Sequence, residues 1–362
     1  MRFRFLTSTP LNITRGSGTF NGIVTLARFL RSSGHAVEFV TPTIHLPIYT
    51  LERIAFNELL RFKREPADDE VTVGFDMDGY TLAGRARGLH IAFIKGVIAD
   101  EMRFESGLTR ATMRWQARRE KLHVDRADMV IAPSHYSAGR IRELYGISKE
   151  VRVLPEPIDL EQWHVLFDRN PAPPDPAKFT VLTVCRFYPR KRLNILLGAA
   201  HLLRSRISEL EVRIVGDGPE RGRLHALCRN LGLERSVHWL GNLSSDDLAK
   251  EYNRCHVFCL PSAQESFGIV FLEAMASGKP IVAARAASIP EVVKHGVLVN
   301  PDDEDALAEG IDRLYRDHAL RASLAAAGAE WVKQLDAPQI AAGFAREVFA
   351  RRGHSNIESA PA

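Results

Sequence analysis

Short runs rich in β-branched and aromatic residues alternate with helix-like runs twice along this chain, and one proline-rich stretch separates the two series. In the first half, strands are expected at "FRFLT", "AVEFVTP", "VTVGFD", "IAFIKG", "MVIAPS" and "VRVLP", with helices such as Phe20 to Ser33 and Ser137 to Tyr145 between them. In the second half, "FTVLTVC", "EVRIVGDG", "SVHWLG", "VFCLPS" and "IVAA" alternate with helices at Leu193 to Arg206, Glu220 to Leu231, Asp246 to Arg254 and Gly268 to Ala276. Parallel strands need a crossover long enough to hold a helix, so this alternation predicts an α/β class with parallel sheets. The separating stretch, "PEPIDLEQWHVLFDRNPAPPDPAK", propagates neither element because its prolines remove amide donors. The expected organisation is a first domain at 1–160, a linker at 161–177, a second domain at 178–337, a helix at 338–352 returning to the first domain, and a disordered tail at 353–362.

Two parallel-sheet domains facing a central cleft bind ligands at strand C-termini, so loops after strands are where chemistry is sought. A net charge of +4 over 362 residues is too small to argue for nucleic acid. Cys185, Cys228, Cys255 and Cys259 include no C-x-x-C pair, which signals neither zinc nor a disulfide framework and fits a reducing cytosol. The N-terminus "MRFRFLTSTP" is interrupted by Arg2 and Arg4 and does not read as a signal peptide, and no 18-residue apolar run occurs.

The most informative stretch is "ESFGIVFLEAMASG". Ile269, Val270, Phe271, Leu272, Ala274 and Met275 cover every face of a helix, so this is a core helix, and Glu273 is its only ionisable residue. A buried carboxylate is costly unless hydrogen-bond donors meet it, either a neighbouring Arg or Lys or the hydroxyls of a ligand. Ser266, Phe267 and Gly268 form a small helix N-terminus whose free amides suit an anion. In "VCRFYPRKRLNIL", Arg186, Arg190, Lys191 and Arg192 follow a strand, a cation set matched to a diphosphate. "IVGDGPE" and "WLGNLS" place Gly216 and Gly241 at strand ends, where backbone approaches a ligand closely.

Together these residues resemble the retaining GT-B glycosyltransferases, specifically family 4 (glycosyl transferases group 1), over almost the whole chain. The specific features are Arg186 with Lys191, and the E-x7-E pair Glu265 and Glu273 inside "PSAQESFGIVFLEAMASGKPIVA". The resemblance implies two Rossmann-like domains, acceptor-binding first and nucleotide-sugar-binding second. It implies that Lys191 and Arg186 hold the donor diphosphate, that Glu265 contacts donor sugar hydroxyls, and that Glu273 meets ribose hydroxyls. Ser266, Phe267, Gly268 and Ile269 would cradle phosphate and sugar.

"TRGSGTFNGIVTLARFLRSSGHAVEFVT" also resembles the family, with Gly16 and Gly18 beside the donor and Gly22 following. A dinucleotide fingerprint fits less well: the spacing is G-x-G-x-x-x-G, and the second strand ends in Thr41 and Pro42 with no acid for a ribose. One departure stands out. Many family members place a histidine after the fourth strand, where "HIAFIKGVIADE" offers Lys95, with His90 before it and Asp100 and Glu101 after it. On this reading the catalytic set is Glu265, Lys191, Arg186 and Lys95. No metal is expected, since no D-x-D pair sits at a strand end where a divalent cation would be expected, and the nucleotide-sugar is a co-substrate rather than a bound cofactor.

Arg110, Arg114 and Arg118 recur every four residues and would share one helical face, either as a solvated surface or as a peripheral contact with anionic lipid or an acidic lipid-linked acceptor. The expectation is a cytoplasmic enzyme, peripheral at the inner membrane face. It would transfer a sugar from a UDP- or GDP-sugar to a hydroxyl acceptor in cell-surface polysaccharide, glycolipid or small glycoside synthesis. The rival readings are a nucleotide-sugar epimerase and a non-catalytic sugar-nucleotide-binding protein on the same scaffold.

Overall fold

The computed structural model describes residues 1–9, 18–44, 46, 48–63, 67, 69–85 and 88–358, with backbone alone at 353–358. The chain divides into two compact units. Met1–Pro157 together with the segment from Ala337 form one, and Ile158–Asp336 form the other.

The N-terminal unit is built on β1 (Arg2–Leu6), β2 (Ala36–Val40), β3 (Glu70–Phe75), β4 (Leu89–Phe93), β5 (Met129–Ala132) and β6 (Val151–Val153). They pair in parallel in the order β2-β1-β3-β4-β5-β6. Alternate residues of a strand share a face, and here Phe3, Phe5, Phe75 and Phe93 fill one side as an aromatic core. The helix Ala337–Glu358 closes that side: Phe344 is fully buried, stacked on Phe93 at 6.3 Å and tilted against Phe3 at 5.7 Å.

The C-terminal unit has β7 (Phe179–Val184), β8 (Leu210–Val215), β9 (Val237–Gly241), β10 (Val257–Leu260), β11 (Ile281–Ala284) and β12 (Val297–Val299), all parallel, in the order β12-β11-β10-β7-β8-β9. The order runs outward from β7 through β8 and β9, then reverses so that β10 lies on the other side of β7. A crevice forms at such a reversal because the helices on either side leave toward opposite faces.

Three expectations are corrected. The stretch read as a linker at 161–177 begins inside a helix, Leu160–Arg169, whose Leu166 and Phe167 are buried in the C-terminal unit and whose Trp163 stacks on Phe167 at 5.3 Å. Apolar spacing in "LEQWHVLF" outweighs the flanking prolines, and the boundary falls at residue 157 rather than 160. The last helix continues to Glu358, through residues 353–358 of the stretch read as a disordered tail. β12 was not anticipated, since three residues are too few to show a period.

Phe344→Ala removes a fully buried ring that joins the last helix to the first strands. It is expected to destabilise the N-terminal unit by about 3–5 kcal/mol. Urea unfolding followed by near-ultraviolet circular dichroism measures this, and an unchanged midpoint would show that the helix does not complete the core.

Candidate functional site

At the reversal between β7 and β10, the loops following the two strands meet: the Ala263 amide donates to the Arg190 carbonyl at 2.8 Å. The β7 loop turns through Pro189–Lys191, where proline opens a short 3-10 turn. Lys191 Nζ then donates to Glu265 Oε1 at 2.6 Å, and Ser262 Oγ donates to the same oxygen at 2.9 Å. Both charged side chains are largely buried, at 12% and 8% exposure. Arg186, half-buried at the start of the same loop, makes no ion pair or side-chain hydrogen bond among the described residues. Arg192 instead leaves this group and pairs with Asp302 at 2.6 Å.

The backbone of Glu265 is tied down by Ser288, a fully buried hydroxyl that donates to the Glu265 carbonyl at 3.0 Å. Beside it, Gln264 is 1% exposed, and both ends of its amide are buried with no hydrogen-bond partner. A buried, unsatisfied amide is costly and marks a place where an incoming polar group would be welcomed. Gly268 caps the helix Ile269–Ala276 with φ 92°, a left-handed conformation, and a Cβ there would press on the Phe271 ring. Buried Ser266 and Phe267 lead into this turn, and Ile269 is the first helical residue. Gly216, at φ 120°, lets the loop after β8 lie directly on the Cys185 carbonyl, and its amide donates to the Gly241 carbonyl at 2.7 Å.

Glu273, one turn into the helix, is buried and accepts a hydrogen bond from the Tyr252 hydroxyl at 2.8 Å. Burial pushes its carboxyl up to about 7, only partly opposed by that hydrogen bond. Lys279, the nearest following cation in sequence, donates to the Asn253 carbonyl and not to Glu273.

The N-terminal unit carries a second polar centre at the C-terminal ends of β3, β4 and β6. Lys95 Nζ donates to Glu156 at 2.8 Å and lies over the Phe93 ring at 3.9 Å. Its side chain is 1% exposed, so it is not a surface lysine. Gly22 on the helix Gly18–Ser32 sits against this pair, and a Cβ there would collide with the Glu156 carboxylate. Gly18 starts that helix, exposed, and Gly16 lies outside the described residues.

Asp76 follows β3 with φ 54°, and its Oδ1 accepts from the Lys95 and Gly96 amides at 2.8 and 3.1 Å. Burial raises its carboxyl to about 6, with Arg53 opposing. Asp78 takes the amide and hydroxyl of Ser8 at 2.6 and 2.7 Å and the Arg53 guanidinium at 3.2 Å. His90 is buried against His123, and Asp100 is held by Arg103, Arg140 and Tyr136. Arg110, Arg114 and Arg118 are exposed on the helix Gly107–Arg126, without ion pairs among the described residues.

The family model "Glycosyl transferases group 1" matches residues 166–331, and "Glycosyltransferase Family 4" matches residues 81–162. The chain belongs to glycosyltransferase family 4. Among curated family relatives, a GDP-mannose-dependent alpha-(1-6)-phosphatidylinositol monomannoside mannosyltransferase of Mycobacterium tuberculosis is 29% identical over 58% of this chain and 58% of its own length. A D-inositol 3-phosphate glycosyltransferase of Corynebacterium urealyticum is 31% identical over 64% of this chain and 57% of its own. The chain thus spans a little over half the length of the relatives it matches. A sucrose-phosphate synthase structure from Thermosynechococcus elongatus superposes with a TM-score of 0.81, covering 97% of this chain and 99% of that one at 21% identity. The shared fold is that of the GT-B glycosyltransferases.

Against the family pattern, Arg186, Lys191, Glu265 and Ser266 to Ile269 are brought together around the β7–β10 reversal. Glu273 needs a correction, because a protein group does meet it: Tyr252, a residue the sequence reading left unassigned. Gln264, Ser288, Asp76 and Glu156 were also missed. Gln264 and Ser288 stand within or near the E-x7-E stretch, whereas no local signal marks Glu156 as the partner of Lys95.

Folded Glu273 keeps its proton up to about pH 7, while the ordinary carboxyl loses it near 4.5. Folding therefore binds a proton in that window, and this group's contribution to stability falls as pH rises through it. Glu273→Gln is expected to remove that slope, gaining stability over the wild type above pH 7 relative to the comparison below 4.5. Urea midpoints for both proteins across the range measure it, and parallel pH profiles would show that burial does not raise the Glu273 carboxyl.

Proposed function

We propose that the protein is a retaining glycosyltransferase that moves a sugar from a nucleoside diphosphate donor, UDP- or GDP-linked, to a hydroxyl acceptor without a metal ion. The observation that carries this reading is the Lys191–Glu265 contact at the sheet reversal with Arg186 unpaired beside it. A cation and a carboxylate this desolvated bind each other tightly when nothing else is present. A donor replaces both halves of the contact: its diphosphate takes Lys191 and Arg186, and its sugar hydroxyls take Glu265. The mycobacterial relative's GDP-mannose dependence and the inositol phosphate named for the corynebacterial one support a nucleotide-sugar donor and a hydroxyl acceptor.

In the reaction, the bond between the anomeric carbon and the diphosphate oxygen breaks while the acceptor oxygen bonds on the same face. The acceptor proton leaves on the diphosphate. Lys191, Arg186 and the amides at Gly268 and Ile269 stabilise the negative charge that grows on the leaving group. That electrostatic work is what a divalent cation does in other transferases, which is why none is invoked. Glu265 orients the sugar, and Glu273 binds the ribose with Tyr252 holding the carboxylate in place. Lys95, locked against Glu156 within the N-terminal unit, takes part in binding the acceptor.

An acceptor carried on a lipid fits the exposed Arg110, Arg114 and Arg118, which would meet an anionic membrane at its cytoplasmic face. No described helix is long and apolar enough to cross a membrane.

Two carboxylate variants test the division of labour. Above pH 7, where folded Glu273 is ionised, Glu273→Gln should weaken free nucleoside diphosphate roughly tenfold or more, the loss of a charged hydrogen bond. Glu265→Gln should bind that ligand nearly normally but lose preference for the sugar-nucleotide and most of kcat. Calorimetry with both ligands decides, and equal losses for both ligands in Glu265→Gln would make that carboxylate structural. Lys191→Ala and Arg186→Ala should cut turnover more than nucleotide affinity. Near-normal turnover in both would move the diphosphate site elsewhere.

A further inference from the structure

Away from the β7–β10 loops, four arginines of the N-terminal unit converge on one open groove of about 370 Å³, a size ordinary for small-ligand sites. Arg119 and Arg126 come from the helix Gly107–Arg126, two turns apart and so on one face. Arg85 comes from the turn after β3, and Arg61 from the short turn Leu60–Phe62. Tyr80, Thr81 and Leu122 complete the wall.

Glu58 meets this wall, pairing with Arg61 at 3.0 Å and accepting from the Tyr80 hydroxyl at 2.7 Å. Among the described residues, Arg85, Arg119 and Arg126 have no carboxylate partner. Arg119 is held flat, its guanidinium 4.9 Å over Trp115 and 5.5 Å over Tyr80, and its Nε is buried with no acceptor. Stacking of this kind fixes the guanidinium plane and leaves its in-plane donors for a ligand. The three arginines without a carboxylate repel each other until an anion enters, and a phosphoryl group with several acceptor oxygens matches forked donors best.

We propose that this groove is a phosphate-ester-binding site, separate from the donor site. The phosphoryl group can belong to a soluble small molecule or to a lipid headgroup, and the two sources are distinguished by experiment. The site does not depend on the transferase reading, because it concerns binding in the N-terminal unit.

The full chain is titrated with glycerol 3-phosphate and, separately, cosedimented with phosphatidylcholine vesicles with and without phosphatidylglycerol. Wild type is expected to bind at least one phosphate probe, and the Arg119→Gln/Arg126→Gln variant to lose about tenfold or more of that affinity. Arg85→Gln, at an exposed position, carries the same test if the double variant is destabilised. Arg110→Gln/Arg114→Gln/Arg118→Gln is expected to keep the glycerol 3-phosphate affinity, which separates the groove from a general basic surface. Binding of glycerol 3-phosphate assigns a soluble ester, and binding of the phosphatidylglycerol vesicles alone assigns a headgroup. Wild type binding neither probe, or groove variants binding as wild type does, overturns the proposal. Nucleoside diphosphate affinity, measured alongside, reports on the donor site independently.

Discussion

The site at the C-terminal unit depends on β10 pairing with β7 rather than continuing outward from β9. That single choice of neighbour puts two loops, 74 residues apart in sequence at Lys191 and Glu265, side by side. The pairing of strands is what the apolar core enforces. Val181 and Val257 face one core and Leu182 and Phe258 the other, all fully buried, so a one-residue slip would send each side chain into the wrong core. The Lys191–Glu265 pair is a passenger on that pairing. Its own contribution to stability is small or negative after desolvation, whereas removal of one partner strands a charge in an apolar setting. A contact with that energy profile makes poor structural cement and a good placeholder for a ligand that offers both charges a better partner.

The same economy governs the rest of the site. Gly216 and Gly268 have no side chain because backbone or a ring occupies the space a Cβ would need, so the loops are drawn tight against the strand ends. Glu273 is kept in the apolar helix by one phenolic hydroxyl, which lowers but does not abolish the cost of ionising it. Gln264 has neither amide end satisfied. Unmet hydrogen-bonding capacity and a carboxyl near neutrality thus gather at one reversal of strand order, and such concentrations are where functional chemistry is found.

Eleven of the twelve strands were legible because each has at least four residues of apolar periodicity or is bounded by turn residues, as "VRVLP" is by Pro155. β12 had neither length nor a clear boundary. The E-x7-E stretch was legible as a site because an apolar helix with one carboxylate contradicts itself unless something meets the charge. What met it was not legible. Tyr252 lies 21 residues upstream of Glu273, on a helix whose own pattern reads as ordinary surface. Glu156 lies 61 residues from Lys95. Asp76 and Asp78 look like a polar turn in "FDMDG" until the strand order brings Ser8 and the Lys95 amide to them. Residue type and spacing expose a group that needs a partner, and only the topology says which group that is. The prolines at 171–176 misled for a related reason: they mark where a helix ends, not where a domain begins.

The last helix gives the chain a particular order of events during synthesis. The C-terminal unit is an insertion, entered after Pro157 and left before Ala337, with Ile158 bridged to Asp336 at its base. Its whole core lies within one continuous segment and can close as soon as that segment clears the ribosome. The N-terminal unit begins before the C-terminal one yet lacks Phe344 and its neighbours on the closing helix until the C-terminal unit has been made. Its aromatic sheet face, with Phe3 and Phe93, is covered only in part, by Ile23, Leu26 and Leu30 of the helix Gly18–Ser32, for the whole time that the C-terminal unit is made. The domain begun first is therefore the one that matures last, and it is during that interval that the nascent protein most needs protection from aggregation.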